Sequence, residues 1–179
     1  MKNLTLTSLM ILSCLLTYGQ KTFSINGKVS TQLPVGTQSV TKTQALQFVD
    51  KNFNANKIAL SSISKRTFDQ IYITDNILVS VKVHEETIRN DYIQNLKGAL
   101  ASMAKGDTSF KLYTKSYNDY VVLVTTNKYG SDIKVFNFYS VNNDHNTAVT
   151  GTLQFALNDE TKAETILNGI IGNIKFKVQ

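Results

Sequence analysis

Cysteine, proline and tryptophan are nearly missing from this sequence: 179 residues hold one Cys, one Pro and no Trp. A single cysteine, Cys14, excludes an intrachain disulfide and a cysteine metal cluster. With one proline and no Ser/Gly/Pro-rich stretch, nothing marks a linker, and one domain with a real core is expected. No repeat occurs at solenoid spacing. There is no Gly-rich phosphate loop and no Gly-x-Ser-x-Gly elbow. The basic residues, 19 against 13 acidic ones, are scattered without a run of Lys/Arg. That scatter, with no basic-aromatic motif, argues against nucleic-acid binding. A solvated basic surface is the plain reading of the charge, and attraction to an anionic envelope polymer or membrane surface is the sharper one.

The N-terminus is rich in what the rest lacks, a long apolar run. Lys2 is followed by Leu4–Leu16, and Thr17-Tyr18-Gly19 places small residues three and one positions before Gln20. This is a secretory signal pattern, too short and too weakly flanked for a membrane span. Cleavage between Gly19 and Gln20 is expected, giving a signal peptide over 1–19 and a single domain over 20–179 with no transmembrane segment. Ile11-Leu12-Ser13-Cys14 loosely matches a lipobox, but bulky Leu12 and the continuing Leu15-Leu16 favour ordinary cleavage over lipidation of Cys14. The mature chain would carry 18 basic and 13 acidic residues, a net charge of +5, and no cysteine. A periplasmic or secreted protein is therefore expected.

Periodicity supplies the elements. Thr22–Leu33 is weakly strand-like, and Pro34-Val35-Gly36 ends it as a turn. Thr41-Lys42-Thr43-Gln44 has the form of a capping box, and Ala45, Leu46, Val49 and Phe53 make a helical stripe stopped by Asn52–Asn56. Within Lys57–Lys65, Ile58, Leu60 and Ile63 fit neither period. Phe68–Ile73 and Ile77–His84 read as a hairpin about Thr74-Asp75-Asn76. Ile77, Val79, Val81 and Val83 face inward, while Leu78, Ser80, Lys82 and His84 form a mostly polar opposite face. Glu85–Lys105 is the longest helix expected, with Ile88, Tyr92, Ile93, Leu96, Leu100 and Met103 on one side, Glu85 and Glu86 at the start and Gly106 as its stop. Ser109–Lys115 is a strand with a Lys-rich face or a protected edge.

Tyr120–Val124 and Ile133–Val141 are apolar on both faces, so each face of the sheet needs a covering layer. Thr147–Leu157 alternates, with Val149, Leu153, Phe155 and Leu157 opposite Thr150, Thr152 and Gln154. Ala163, Ile166, Leu167, Ile170 and Ile171 form one helical stripe. The expected class is α+β: a three-layer α/β/α sandwich with a largely antiparallel sheet of six to seven strands and three helices.

The order of elements resembles the PsbP-like fold, named for the extrinsic photosystem II protein and shared with small bacterial secreted domains. The resemblance rests on a strand ending in Leu33-Pro34-Val35-Gly36, paired aromatic-rich strands and the polar turn Asn142–Asn146. It continues through Val149-x-Gly151-x-Leu153-x-Phe155, a helix and Ile174-Lys175-Phe176. The Trp that many members carry after the Gly turn is absent. The resemblance implies an accessory or binding role with no catalytic residue to transfer.

Chemistry is sparse. His84 ends a strand beside Lys82. His145 lies in Asn142-Asn143-Asp144-His145-Asn146, where a cation is conceivable and a plain turn is favoured. His84-Glu85-Glu86-Thr87 lacks the second His of the zinc-protease helix, since position 88 is Ile. Asp50, Asp69, Asp75, Asp119 and Asp132 show no pairing in sequence. Tyr72, Tyr113, Tyr117, Tyr120, Tyr129 and Tyr139 could line a binding face. No catalytic, cofactor or metal residue is assigned. The expectation is an exported non-enzymatic accessory or binding protein of the bacterial envelope that contacts another envelope protein. The alternative is a carrier of a lipid or other small apolar molecule between helix 85–105 and the sheet. A hydrolase assembled from dispersed polar residues has no positive support.

Overall fold

The computed structural model describes residues 19–54 and 56–177. The signal-like run and Cys14 lie outside the described residues. The chain starts with a hairpin of β1 (Gln20–Ile25) and β2 (Val29–Pro34) around Asn26 and Gly27, both at positive φ. The two-residue β3 (Gln38–Ser39) follows, then α1 (Lys42–Asn52) and α2 (Lys57–Lys65). β4 (Gln70–Thr74) and β5 (Ile77–Glu85) form the expected hairpin, turning at Asp75 with φ 52°. Next come α3 (Tyr92–Met103), β6 (Lys111–Ser116), β7 (Tyr120–Tyr129), β8 (Ile133–Asn142) and β9 (Thr147–Ala156). A short 3-10 turn leads into α4 (Glu160–Gly172), and β10 (Lys175–Phe176) follows.

The main sheet has seven strands in the order β3-β4-β5-β9-β8-β7-β6, and every pairing is antiparallel. A second sheet, β1-β2-β10, stands apart from it. The hairpin and the final strand therefore pair with each other instead of extending the main sheet.

The first face of the main sheet packs on α4 and the small sheet. Val79, Val81, Phe138, Leu153 and Phe155 meet Ile25, Val29 and Leu33 and the α4 stripe of Ala163, Ile166, Leu167, Ile170 and Ile171. Thr31 Oγ1 donates to Ile170 O at 2.7 Å, fixing α4 against β2. Lys134, mostly buried on this face, pairs with Glu160 at the start of α4.

Tyr120 closes the same core. Its hydroxyl donates to Ile171 O at 2.8 Å, and Tyr117 stacks on its ring at 4.8 Å. Burial, and then the neighbouring Tyr117, push the Tyr120 hydroxyl up to about 12. In the unfolded chain a tyrosine titrates near ~10. The native state therefore holds this proton more tightly, and its stabilisation is complete below about pH 10 and lost as pH rises toward about 12. Tyr120→Phe should flatten, without abolishing, the fall of melting temperature across that window, because other buried tyrosines contribute in the same sense. An unchanged slope would mean the hydroxyl is solvated in the folded protein.

The second face is covered at its two ends. At one end α1 and α2 pack Ala45, Val49, Phe53, Ala59 and Ile63 on Ile71, Leu78, Ile133 and Val135. α1 starts with the expected capping box: Thr41 Oγ1 accepts from Gln44 N at 3.2 Å, and Gln44 Oε1 accepts from Thr41 N at 2.8 Å. α2 is a fourth helix, in the stretch whose apolar spacing fitted neither period. Asn56 caps it by accepting from Ile58 N and Ala59 N at 3.1 and 3.0 Å. Its buried stripe is Ala59 and Ile63, while Ile58 points outward, so small Ala59 and not Ile58 carries the periodicity.

At the other end the expected long helix is shortened. Residues 86–91 are irregular, and α3 spans only Tyr92–Met103. Ile88 turns inward against Val141 and Ala148, and its N–H donates to His145 O at 2.7 Å. Glu85 ends β5, so neither it nor Glu86 sits on the first turn of a helix. No α3 residue is fully buried, and Met103 is 83% exposed. The stripe from Tyr92 to Met103 is thus not a core stripe.

Candidate functional site

Between these two covers the second face carries a polar band, part buried and part half-exposed. Ser80 on β5, Thr152 on β9, Asn137 on β8 and Thr125 on β7 are register partners, one row across four neighbouring strands. The next row is Lys82, Thr150, Tyr139 and Leu123. Rows on either side of these are more apolar: Leu78 and Val135 lie beneath α1 and α2, and Ala148 and Val141 beneath Ile88. Alternation along each strand places these residues on one face, and antiparallel pairing aligns them.

The band forms the floor of an open groove of about 440 Å³. Lys65, Arg66, Thr67 and Phe68, just after α2, make one wall, and His84 stands at the far end. The floor is internally bonded. Asn137 Nδ2 donates to Thr125 Oγ1 at 3.1 Å, and Thr152 Oγ1 donates to Asn137 Oδ1 at 3.1 Å. This network satisfies buried amide and hydroxyl groups that would otherwise be costly to desolvate. Lys82 Nζ donates to Thr67 Oγ1 at 3.0 Å, tying floor to wall. His84 Nε2 lies 3.2 Å from Thr150 Oγ1. Burial pushes the Tyr139 hydroxyl up from the ordinary tyrosine range, while the nearby Arg66 guanidinium pulls the other way. Arg66 and Tyr139 line the same groove.

No family model and no curated protein sequence matches this chain. Its architecture does match solved structures. The solution structure of cyanobacterial PsbP from Synechocystis sp. PCC 6803 superposes with a TM-score of 0.50, at 12% identity, over 90% of this chain and 94% of that one. The fold is PsbP-like. The crystal structure of the Saccharomyces cerevisiae Ran-binding protein Mog1p also aligns, with a TM-score of 0.46 and 12% identity over 89% of this chain and 96% of that one.

On this PsbP-like frame the sequence candidates separate. Of the two histidines, His84 lines the groove and His145 does not. His145 sits at φ 52° in the β8–β9 turn, where Asn142 Oδ1 accepts from Asn146 N and Thr147 N at 3.2 and 3.1 Å. That is turn chemistry, as the Asn-rich loop suggested. Among the described residues no three His, Cys, Asp or Glu side chains are grouped to hold a metal ion.

The aspartates are employed separately. Asp69 Oδ2 accepts from Val83 N at 2.7 Å, Asp75 pairs with Lys162 at 3.4 Å, and Asp132 accepts from Ser131 at 2.6 Å. Of the tyrosines, Tyr72 and Tyr120 are core, Tyr113 is on the edge strand, and Tyr139 alone among the six lines the groove. The space beside α3 is an open hollow of about 310 Å³ lined by polar and charged side chains as well as Ile88, Tyr92 and Ala148. It is not an apolar chamber under the helix. Among the described residues no helix is long and apolar enough to cross a membrane.

Proposed function

We propose that this chain is an exported, non-enzymatic accessory or binding protein of the bacterial envelope, with a signal peptide over 1–19 and one domain over 20–179, and that it binds in the groove. The polar band across the centre of the second face carries the reading. A sheet face in the middle of a sandwich is ordinarily apolar and covered by helices. Here two adjacent polar rows run between the helices, one buried and internally bonded and the other, with Lys82, Thr150 and Tyr139, half-exposed. Concave sites with a few converging polar groups are where small proteins bind ligands. The resemblance to PsbP-like proteins supports an accessory role, and the apolar N-terminal run supports export.

A second reading, contact with an envelope protein through the β6 edge and α3, is favoured by one observation. α3 buries none of its residues, and Tyr113 on β6 is also exposed. A photo-crosslinking residue placed at Tyr139, and separately at Tyr113, distinguishes the two in cells. Adducts at Tyr139 are the expected result. Adducts at Tyr113 alone would move the binding surface to the edge strand. The intact mass of protein recovered from the envelope checks export: a chain starting near Gln20 is expected, and a diacylated Cys14 would make it a lipoprotein.

A further inference from the structure

We propose that the groove is a site for a small hydroxylated oxyanion: a sugar or similar polyol carrying a carboxylate or phosphate group. The proposal rests on the reading that the groove is the binding site, and it specifies what binds there. Charge is the first argument. Lys65, Arg66 and Lys82 line the groove, and no carboxylate does. The ion pairs found among the described residues engage Lys28, Arg89, Lys134 and Lys162 instead. Asp69, close in sequence, is turned away to accept the Val83 N–H. Like charges gathered at one opening repel each other, and a bound anion removes that repulsion. The Arg66 guanidinium offers the planar pair of donors that fits a carboxylate or phosphate. Lys82 gives one N–H to Thr67 and retains two more for a ligand.

The floor is the second argument. Thr150 and Tyr139, the half-buried members of the floor, present hydroxyl groups beside the buried and mutually bonded Thr152 and Asn137, so the ligand needs hydroxyls of its own to replace the water it displaces. Neighbouring strands lie about 4.8 Å apart, and successive residues on one face of a strand about 7 Å apart. The three strands β5, β9 and β8 therefore offer a floor about 10 by 7 Å, the scale of one sugar ring and its substituents. Phe68 gives one wall an aromatic surface for the C–H face of such a ring. A lipid chain would strip water from Arg66, Lys82 and the Tyr139 hydroxyl without replacing it, and a bare inorganic anion would engage the cations but not the floor.

Titration of the isotope-labelled mature protein, followed by amide chemical shifts, tests the idea. Four probes are used: a hexose phosphate, glucuronate, glucose and inorganic phosphate. Shifts concentrated on residues 65–68, 80–84, 137–139 and 150–152 are expected with the hexose phosphate, glucuronate or both. Which of these binds more tightly identifies the acid group. Glucose and inorganic phosphate should each bind at least roughly tenfold more weakly, because each lacks half of the recognition. Arg66→Gln and Lys82→Gln should each weaken the preferred anion by roughly tenfold or more and leave the melting temperature unchanged. Lys175→Gln, away from the groove, should not change affinity.

Equal affinity for glucose would overturn the anionic class while leaving the groove a binding site. Equal affinity for inorganic phosphate would overturn the polyol. Shifts outside the groove, or none with any probe, would overturn the proposal. The Tyr139 crosslink reports separately on whether the groove binds anything.

Discussion

Replacing Ile166 by Ala should destabilise the protein by about 2–5 kcal/mol, read as a shift in the urea unfolding midpoint. Ile166 is 4% exposed and Ile170 1% exposed, and both sit in the core where α4 meets the main sheet and β2. Truncation removes apolar contact and leaves a cavity that close-packed neighbours fill only partly. Domains of this size hold roughly 5–15 kcal/mol in total, so the Ile166→Ala/Ile170→Ala double variant should be largely unfolded at room temperature. Lys162→Ala removes only the exposed ion pair with Asp75 at 3.4 Å. It should change stability by about 0–1 kcal/mol. An Ile166→Ala midpoint equal to that of the parent would show that α4 is not seated on the sheet in solution. The helix would then become a candidate contact surface.

Gly151→Ala should be nearly as damaging despite adding a single methyl. Gly151 on β9 is the register partner of Phe138 on β8, and the Phe138 ring lies directly over it. A Cβ at position 151 would fall 3.1 Å from Phe138 Cε2 and nearer still to Cζ and Cε1. Those atoms belong to a fully buried ring with no room to retreat. The expected loss is about 3 kcal/mol, at the upper end of overpacking penalties. Glycine is required here for space, since the strand conformation itself is open to any residue. The double-mutant cycle with Phe138→Leu provides the check: the smaller side chain should absorb about 1–2 kcal/mol of the Gly151→Ala cost. Strictly additive losses would mean the ring does not occupy this position.

Much of the frame was legible in the residues. The stripe Ala163, Ile166, Leu167, Ile170 and Ile171 is buried throughout. The Thr41–Gln44 capping box forms, and the turn at Asp75 joins the strands it was expected to join. These features are specified within one element or one turn, so pattern and propensity suffice to specify them. The two departures have separate causes. Glu85–Lys105 looked like one long amphipathic helix, but Ile88 finds a better partner in the distant Val141 and Ala148, and the helix starts only after it. Lys57–Lys65 looked patternless because Ala59 was not counted as apolar and Ile58 was.

The candidate site was half visible. Sequence alternation put Ser80, Lys82 and His84 on one polar face and Thr150 and Thr152 on another. It could not say that these faces were the same one. Local periodicity, a matter of bond geometry within a few residues, determined the strands, most of the helices and which side chains share a strand face. Tertiary structure alone decided that β5 pairs with β9 and β9 with β8 in the register that joins two polar faces into one floor. It also brought Arg66 beside Tyr139, 73 residues further along the chain. The register follows from burying Val79, Leu153 and Phe136 on the opposite side of the same strands, because slipping by one residue would exchange the two faces of a strand.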